Sequence, residues 1–230
     1  MADSVSFFKE IENGRRSDRL VYRAIEDNEE DRTFLQNAIL SDPLTYALAY
    51  PEAFKPQPKQ YSTNEIARHN ARNRLLAVTI CLPGSSRELL SEDDRKKLET
   101  MEKEKSSDSK APEPPELFPI GMLNLRNDDP ATQHHRNAGL GMVISKPYQG
   151  KGYGSEALNW TIDWAFKFGG LHRVTVHCYS FNTKALKMYE RLGFVKEGSQ
   201  REAAWFNRGW HDILVYGFLE SDWERLRGLD

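Results

Sequence analysis

The chain has 230 residues, of which 32 are Lys or Arg and 34 are Asp or Glu, so its formal net charge is −2. This length suits one large domain that buries its own core, and the balanced charge excludes the basic excess typical of nucleic-acid-binding proteins. Cys81 and Cys178 each lie in an apolar, strand-like run, which favours buried free thiols over a disulfide or a nucleophile and indicates a reducing compartment.

The sequence also argues against a membrane protein. Met1 to Glu12 contain no apolar leader, and the longest apolar run, Leu75 to Leu82, is far shorter than the roughly 20 residues that span a bilayer. We therefore expect a soluble cytoplasmic or nuclear protein without membrane or nucleic-acid partners. The sequence leaves open whether it is a monomer or a homodimer.

The first part of the chain combines strand and helix patterns. Leu20 to Ile25 predicts a strand, and Asn28 to Leu40 has the apolar spacing of a helix that ends at Asp42-Pro43. The polar stretch Asn64 to Arg74 is a candidate helix. Leu75 to Leu82 predicts the second strand, closed by a Pro-Gly pair.

The segment 84–117 has a different composition, with seven Lys/Arg, ten Asp/Glu and three prolines near its end. Glu92 and Lys96 have the i,i+4 spacing that supports a solvated helix, Ser91 could cap it, and only Leu98 and Met101 could face a core. We interpret 84–117 as an insertion, partly a charged helix and partly disordered, between neighbouring strands of one domain spanning residues 1–230. A substrate lid or a partner arm is the alternative.

The second half repeats these patterns more clearly. A predicted hairpin, a helix from Ser155 to Phe168 and a strand from Leu171 to Tyr179 precede a short helix opened by Asn182. Together the order predicts an α/β domain with a mixed sheet. The remaining segments are the hairpin strands Phe118–Arg126 and Ala138–Ile144, the helix Thr183–Arg191, two last strands starting at Phe194 and His211, and an amphipathic tail, Leu219–Leu229.

A glycine-rich loop, Gln149-Gly150-Lys151-Gly152-Tyr153-Gly154, joins the strand ending at Ile144 to the helix beginning at Ser155. Alternate glycines let backbone N–H groups converge, and the following helix adds its free N–H groups and the positive end of its dipole. The loop therefore indicates a seat for a phosphate or pyrophosphate. A plain glycine-rich turn is the alternative.

Several motifs together resemble the GCN5-related N-acetyltransferase (GNAT) superfamily. The signature Q/R-x-x-G-x-G/A is met by Gln149, Gly152 and Gly154, and it follows Gly139-Leu140-Gly141-Met142-Val143-Ile144 and precedes Asn182 and Tyr189. Glu197-Gly198, Arg201 and Gly209-Trp210-His211-Asp212 resemble the RimJ/RimL-like branch. The resemblance is strong from Phe118 to Trp223 and vague before Gly84. It implies the GNAT fold, with a mixed, mostly antiparallel sheet of about seven strands that is flanked by helices and splayed at an acetyl-CoA site.

The resemblance also implies roles for individual residues. Tyr189 occupies the position of a general acid that protonates the leaving thiolate, and the N–H of Val143 or Ile144 could hold the oxyanion. Asn182 lies two helical turns before Tyr189, on the same face. A core aromatic is the alternative for Tyr189, and a simple helix N-cap is the alternative for Asn182. The implied acetyl-CoA-binding residues are Met142, Val143, Ile144, Gln149, Gly150, Lys151, Gly152, Tyr153, Gly154, Ser155, Asn182 and Tyr189.

The residue that removes the proton from the attacking amine is harder to identify. We select Glu26 and His134 as candidates from a wider set of titratable residues that includes His135, His177 and Asp212. Each could equally be a surface charge or a structural residue. The six histidines include no pair or cluster at metal-ligand spacing, so we predict no metal.

The predicted activity is transfer of an acetyl group from acetyl-CoA, used as a co-substrate, to a primary amine by direct attack in a ternary complex, since no cysteine lies where an acyl-enzyme would form. The acceptor could be a protein N-terminus, a lysine or a small molecule. The acidic pairs Glu26-Asp27 and Asp128-Asp129 would suit a cationic one. A non-catalytic acyl-CoA-binding protein of the same fold is the rival. A Rossmann enzyme is disfavoured, because Asp163 lies within the helix itself.

Overall fold

The structure, a computed structural model, describes residues 11–50, 52, 54–69, 74–105, 116–127 and 129–229. Seven strands form a single sheet in the order β1-β2-β3-β4-β5-β7-β6. The pairs are antiparallel except for β4 and β5, which are parallel. The mixed, mostly antiparallel sheet is therefore confirmed. Its strands are β1 Val21–Ala24, β2 Arg74–Pro83, β3 Leu117–Arg126, β4 Asn137–Ile144, β5 Arg173–Tyr179, β6 Val195–Phe206 and β7 Gly209–Leu219.

Helices flank the sheet on both faces and enclose its apolar side chains. Among them, α5 packs on one cluster with β5 and β7, and its other side joins a second cluster formed with β2 and β3. Cys81 and Cys178 are buried free thiols, as predicted. The helices are α1 Glu29–Phe34, α2 Pro43–Ala49, α3 Lys59–His69, α4 Glu92–Lys105, α5 Tyr153–Lys167, α6 Thr183–Arg191 and α7 Glu220–Arg227.

The first helical segment differs from the prediction in its second half. Asn28 caps α1 by accepting a hydrogen bond from the Asp31 N–H at 2.8 Å, but a π-helical turn over Leu35–Leu40 replaces the expected regular helix. Asp42-Pro43 does end this segment, and it also begins α2, which the sequence interpretation missed. The Asp42 carboxylate accepts from the Thr45 N–H at 2.8 Å, and Pro43 occupies the first turn, where a missing N–H costs nothing.

The candidate helix at 64–74 is shifted in the structure. It runs from Lys59 to His69, directly after Pro58, and Arg74 already belongs to β2. A proline just before a helix fixes an extended conformation there and lets the helix begin at the next residue. The predicted range was therefore about five residues too late at both ends.

The insertion contributes a folded helix to the domain. Ser91 accepts from the Asp94 N–H at 3.2 Å and caps α4, Lys96 lies 3.4 Å from Glu92, and Leu98 is only 6% exposed. The segment connects β2 and β3, which are antiparallel neighbours as predicted. Residues 106–115 lie outside the described part of the chain, so the expectation of disorder there stays a prediction, as does the single-domain reading of 1–230.

The last two strands form a long hairpin that reaches beyond the sheet. Asn207 and Arg208 join them with φ values of 47° and 61°, the left-handed pair of a type I′ turn that matches strand twist. β6 carries a bulge at Glu202, whose N–H donates to Asp212 at 3.0 Å. The predicted tail becomes α7, which buries Trp223 against the domain. Across the described ranges, no helix has the length and apolar character to cross a membrane.

Leu98 tests whether the insertion helix is part of the domain core. We expect Leu98→Ala to lower the free energy of unfolding by about 2–4 kcal/mol, because the side chain is buried with Phe118 and Leu90. Glu99→Ala on the exposed face of the same helix should change it by less than about 0.5 kcal/mol. Urea unfolding measures both. Equal, small effects would mean that α4 is not held against the sheet.

Candidate functional site

The central feature of the site is an opening between two neighbouring strands. β4 pairs with β5 only over Asn137–Gly139, opposite Arg173–Thr175. Beyond that point β4 stays bonded to β3 as far as Ile144, and β5 stays bonded to β7 as far as Tyr179. The two strands therefore diverge in the middle of the sheet, and the far half of β4 turns one backbone edge towards a cavity. We call this opening the β4–β5 wedge.

Strand geometry determines which β4 groups face the wedge. The Ser145 N–H donates to Ile120 O of β3 at 2.8 Å, so Ser145 and Ile120 form a hydrogen-bonded pair of this antiparallel ladder. Because such pairs alternate along an antiparallel ladder, Val143 also bonds towards β3, whereas Met142 and Ile144 turn their N–H and C=O groups the other way. Of the two predicted oxyanion donors, Ile144 is the one whose N–H points into the wedge.

The glycine-rich loop forms the end of the wedge. Gly150 and Gly152 have φ values of 75° and 87°, which side chains other than glycine rarely adopt, and Gly152 is the N-cap of α5. Gly154 has a different reason to be glycine. A Cβ atom there would lie 3.3 Å from the Met142 Cε atom and 3.4 Å from the Met188 Sδ atom. Its absence keeps the space between these two side chains open.

Two side chains fasten the loop to the rest of the domain. The Gln149 amide donates to Ile144 O at 2.8 Å and to Thr45 Oγ1 at 3.1 Å, which links the loop to β4 and α2. Arg19 donates to Glu156 Oε2 at 2.7 Å and to Lys151 O at 3.2 Å, and its guanidinium lies 4.4 Å from the centre of the Tyr153 ring. The start of α5 is thus held from two sides.

The wedge opens into a cavity of about 510 Å³ with basic groups at its loop end. Arg191 donates to Ser155 Oγ at 2.9 Å, and the exposed Lys184, two helical turns earlier on α6, lines the same cavity. These cations complement the N–H groups at the start of α5, so the end of the cavity suits an anion. Sequence reasoning missed both, although Lys184, Met188 and Arg191 follow the i, i+4, i+7 spacing of one face of α6.

Most of the predicted binding residues line this cavity. Lys151, Tyr153 and Tyr189 do not, since Lys151 is exposed and the other two are buried. The predicted residues that line it are Met142, Val143, Ile144, Gln149, Gly150, Gly152, Gly154, Ser155 and Asn182; those that the prediction missed are Thr45, Leu48, Ala49, Tyr148, Lys184, Ala185, Met188 and Arg191.

Asn182 and Tyr189 have distinct surroundings on α6. The Asn182 side chain accepts from the Ala185 N–H at 3.3 Å, so it caps the helix while also lining the cavity. Tyr189 is 6% exposed, with its ring 5.5 Å from that of Phe194 and 6.2 Å from that of Tyr216. Burial, with a smaller contribution from Cys178, raises the pKa of Tyr189, so its hydroxyl keeps its proton at neutral pH.

The structure does not bring the base candidates to the wedge. Glu26 is exposed after β1, at the edge of the sheet, and accepts from the Asn28 side chain at 3.1 Å. His134 lies in the 3₁₀ turn before β4, at the opposite end of that strand from the wedge, with its ring 3.9 Å from that of His135. Neither lines the 510 Å³ cavity.

The other titratable candidates have structural surroundings. The Asp212 carboxylate accepts from the Glu202 N–H and from Ser199 Oγ at 2.8 Å, and these bonds hold its pKa below the usual range, which makes it a weak base. His177 is exposed on β5. Within the described ranges, no three His, Cys, Asp or Glu residues are grouped as metal ligands would be.

A second cavity lies on the other side of α2. It measures about 640 Å³ and is bounded by α2, the chain after it, the end of β5 and the β6–β7 hairpin. Tyr46 and Tyr50 stack at 5.2 Å, and Phe54 meets Phe206 edge-on at 6.0 Å. Glu52 is the one charged residue among the described residues that line it. We call this cavity the aromatic pocket.

A family model for the acetyltransferase (GNAT) family matches residues 89–194, which include the β4–β5 wedge, the glycine loop and α6. This part of the chain is therefore similar to GNAT acetyltransferase domains. The fold agrees with this. The spermidine N-acetyltransferase of Vibrio cholerae, solved in complex with CoA and spermine, superposes with a TM-score of 0.66 at 20% identity, covering 90% of this chain and 99% of that one. A GNAT-family acetyltransferase from Bacillus anthracis gives 0.64 at 20% identity, covering 90% and 98%.

Curated proteins match the chain over 87 to 111 residues. YdaF of Bacillus subtilis is 36% identical over 104 residues, 45% of this chain and 55% of YdaF. Spermidine N(1)-acetyltransferase of Vibrio cholerae is 33% identical over 87 residues, 38% and 50% of the two chains. The ribosomal protein uS5-alanine N-acetyltransferase of Escherichia coli is 29% identical over 111 residues, 48% and 56%. The chain thus spans about half the length of the curated relatives that it matches.

Proposed function

We propose that the chain transfers an acetyl group from acetyl-CoA to a primary amine by direct attack within a ternary complex. The observation that carries this proposal is the β4–β5 wedge with the glycine loop at its end. An extended amide arm can pair with the N–H and C=O groups of Met142 and Ile144 as an added strand would. A pyrophosphate can bind the N–H groups at the start of α5, with Arg191 and Lys184 beside it.

Two groups of the chain are suited to the transition state of acetyl transfer. The Ile144 N–H, directed into the wedge, is suited to stabilise the negative charge that develops on the thioester oxygen. The Tyr189 hydroxyl carries its proton at neutral pH, as a phenol ordinarily does, so it can give that proton to the departing thiolate. This role requires the hydroxyl to reach the wedge past Met188, its neighbour on α6, which lines the cavity.

Direct attack is favoured over an acyl-cysteine route. Cys81 and Cys178 are buried, and burial raises the pKa of each thiol to about 12. The thiolate, which is the nucleophilic form, is therefore scarce at neutral pH. Neither cysteine lines the cavity at the wedge.

The aromatic pocket is our proposed site for the acceptor. Thr45, Leu48 and Ala49 of α2 face the wedge, whereas Tyr46 and Ala47 face the aromatic pocket, so a single helix separates the two cavities. Two substrates can then approach the centre of the sheet from different sides, as a ternary complex requires. The base that deprotonates the amine stays unassigned; Glu26 and His134 are untested candidates distant from the wedge.

The charge of the aromatic pocket favours a cationic acceptor. After burial itself, the Glu52 carboxylate is the main cause of the raised pKa of Tyr179, which also lines the pocket. Aromatic faces also attract organic cations. Arg68 lies 3.9 Å from Glu52 but bonds Glu65 more closely, at 2.5 Å. The relatives named for spermidine and for a ribosomal-protein N-terminus are compatible with this class.

Gly154 tests the cofactor site. We expect Gly154→Val to raise the Kd for CoA by at least about tenfold, because the new side chain would occupy the space between Met142 and Met188. Gly198→Val is the matched control, since no atom lies within 4 Å of a Cβ there. Isothermal titration calorimetry measures both. Wild-type affinity in the Gly154 variant would place CoA elsewhere.

Tyr189 tests the proposed acid. Tyr189→Phe should lower kcat about 10²-fold while leaving the KM for acetyl-CoA nearly unchanged, because only proton donation is lost. Tyr216→Phe removes a neighbouring buried hydroxyl that bonds Glu190 at 2.8 Å, and it should affect stability more than rate. Steady-state release of CoA measures the activity. CoA binding without turnover of any amine, and without an effect of Tyr189→Phe, would instead support the non-catalytic rival.

Glu52 tests the acceptor class. Glu52→Gln should raise the KM for spermidine and for basic peptides about tenfold, because one attractive charge is lost. It should leave the KM for an uncharged amine acceptor unaffected. The control Glu99→Gln removes a carboxylate remote from both cavities. A uniform change across all acceptors would show that Glu52 does not select for charge.

A further inference from the structure

The insertion and the glycine loop are joined through one buried hydroxyl group. Tyr148, the last residue of the 3₁₀ turn that leads into the loop, is 2% exposed. Its hydroxyl donates to Asp94 Oδ2 at 2.6 Å and accepts from the Ser91 N–H at 2.9 Å. Ser91 and Asp94 are the cap and the first turn of α4, so the link connects the beginning of the insertion helix to the residue before Gln149.

Both ends of this link are anchored. The Asp94 carboxylate also accepts from Ser91 Oγ at 2.6 Å and from Lys97 Nζ at 3.1 Å, and these bonds outweigh the effect of burial and lower its pKa. Behind it, Leu90 and Leu98 are buried in one apolar cluster with Tyr148 and Tyr153. The insertion helix therefore presents a fixed, charged acceptor to the tyrosine.

The tyrosine, in turn, supports the part of the loop that borders the wedge. The Tyr148 ring lies edge-on to the Tyr153 ring, with the ring centres 6.2 Å apart, and Lys151 Nζ lies 5.3 Å from the centre of the Tyr148 ring. Tyr148 also lines the 510 Å³ cavity. Any shift of its hydroxyl would move the backbone between Ser145 and Gly152, where the converging N–H groups are placed.

We infer that α4 of the insertion holds the glycine loop in its anion-binding geometry through the Asp94–Tyr148 hydrogen bond, and thereby sets the affinity of the chain for acetyl-CoA. Asp94 and Tyr148 are positioning residues, since neither is required to touch reacting atoms. The effect on the affinity for acetyl-CoA rests on the proposed function. The support of the loop by α4 does not, because it is a property of the unliganded chain.

The test compares three variants with the control Asp93→Ala. The three are Tyr148→Phe, Asp94→Ala and the variant that combines these two substitutions. Asp93 is exposed at the preceding position of the same helix turn, and its side chain makes no hydrogen bond or ion pair among the described residues, so it matches the loss of charge. We expect faster amide hydrogen exchange over residues 149–155 in both single variants. The Kd for CoA should rise about fivefold, the effect of losing one ordinary hydrogen bond.

Three results together would support the inference. Amide exchange in the loop rises in both single variants but not in Asp93→Ala, and the KM for acetyl-CoA rises while kcat is kept. The Kd for CoA in the double variant is no higher than in the more affected single variant. Unchanged loop exchange in Tyr148→Phe would overturn it, whatever happens to activity. Failure of the wild-type chain to bind CoA would instead overturn the proposed function, while the exchange data would still decide whether α4 supports the loop.

Discussion

The divergence of β4 from β5 is the constraint on which the rest of the structure depends. Opening a sheet in its middle leaves backbone groups without a strand partner in a partly buried place, which is costly unless other bonds replace them. The chain limits that cost because β4 stays paired with β3 from Gly139 to Ile144, and β5 stays paired with β7 along its whole length. The Gln149 amide then satisfies the Ile144 carbonyl at the end of the strand. The same opening supplies the edge on which the proposed chemistry depends.

Sequence reasoning succeeded where the signals are local. The helix Thr183–Arg191 was predicted to the residue, because Asn182 caps its start and Gly193, with φ of 98°, follows its end. The glycine loop was placed at the right strand-to-helix junction for the same kind of reason, since positive φ values depend on consecutive residues. The helix α5 begins at Tyr153, however, two residues before the predicted start at Ser155. The motif that relates the chain to GNAT proteins lies in this region, so the fold could be predicted with it.

Positions that depend on distant contacts were not predictable. Asp42-Pro43 can end one helix or cap the next, and only packing shows that it does both. The aromatic pocket is formed by Tyr46 together with Tyr179 and Phe206, which follow it by more than a hundred residues of sequence, so no local pattern marks it. For His134, by contrast, the predicted hairpin already put the residue in the turn before Ala138, at the opposite end of that strand from the glycine loop.

The geometry at the base of the insertion makes its length easy to vary. The Gly84 N–H donates to Glu116 O at 2.6 Å, so the chain leaves the sheet and returns to it at adjacent points. Once two ends are fixed side by side, the entropy cost of the connecting chain grows only with the logarithm of its length, about 0.6 kcal/mol for each doubling. Residues could therefore be added or removed beyond α4 with little effect on the sheet, which makes this the natural place for such proteins to acquire new segments.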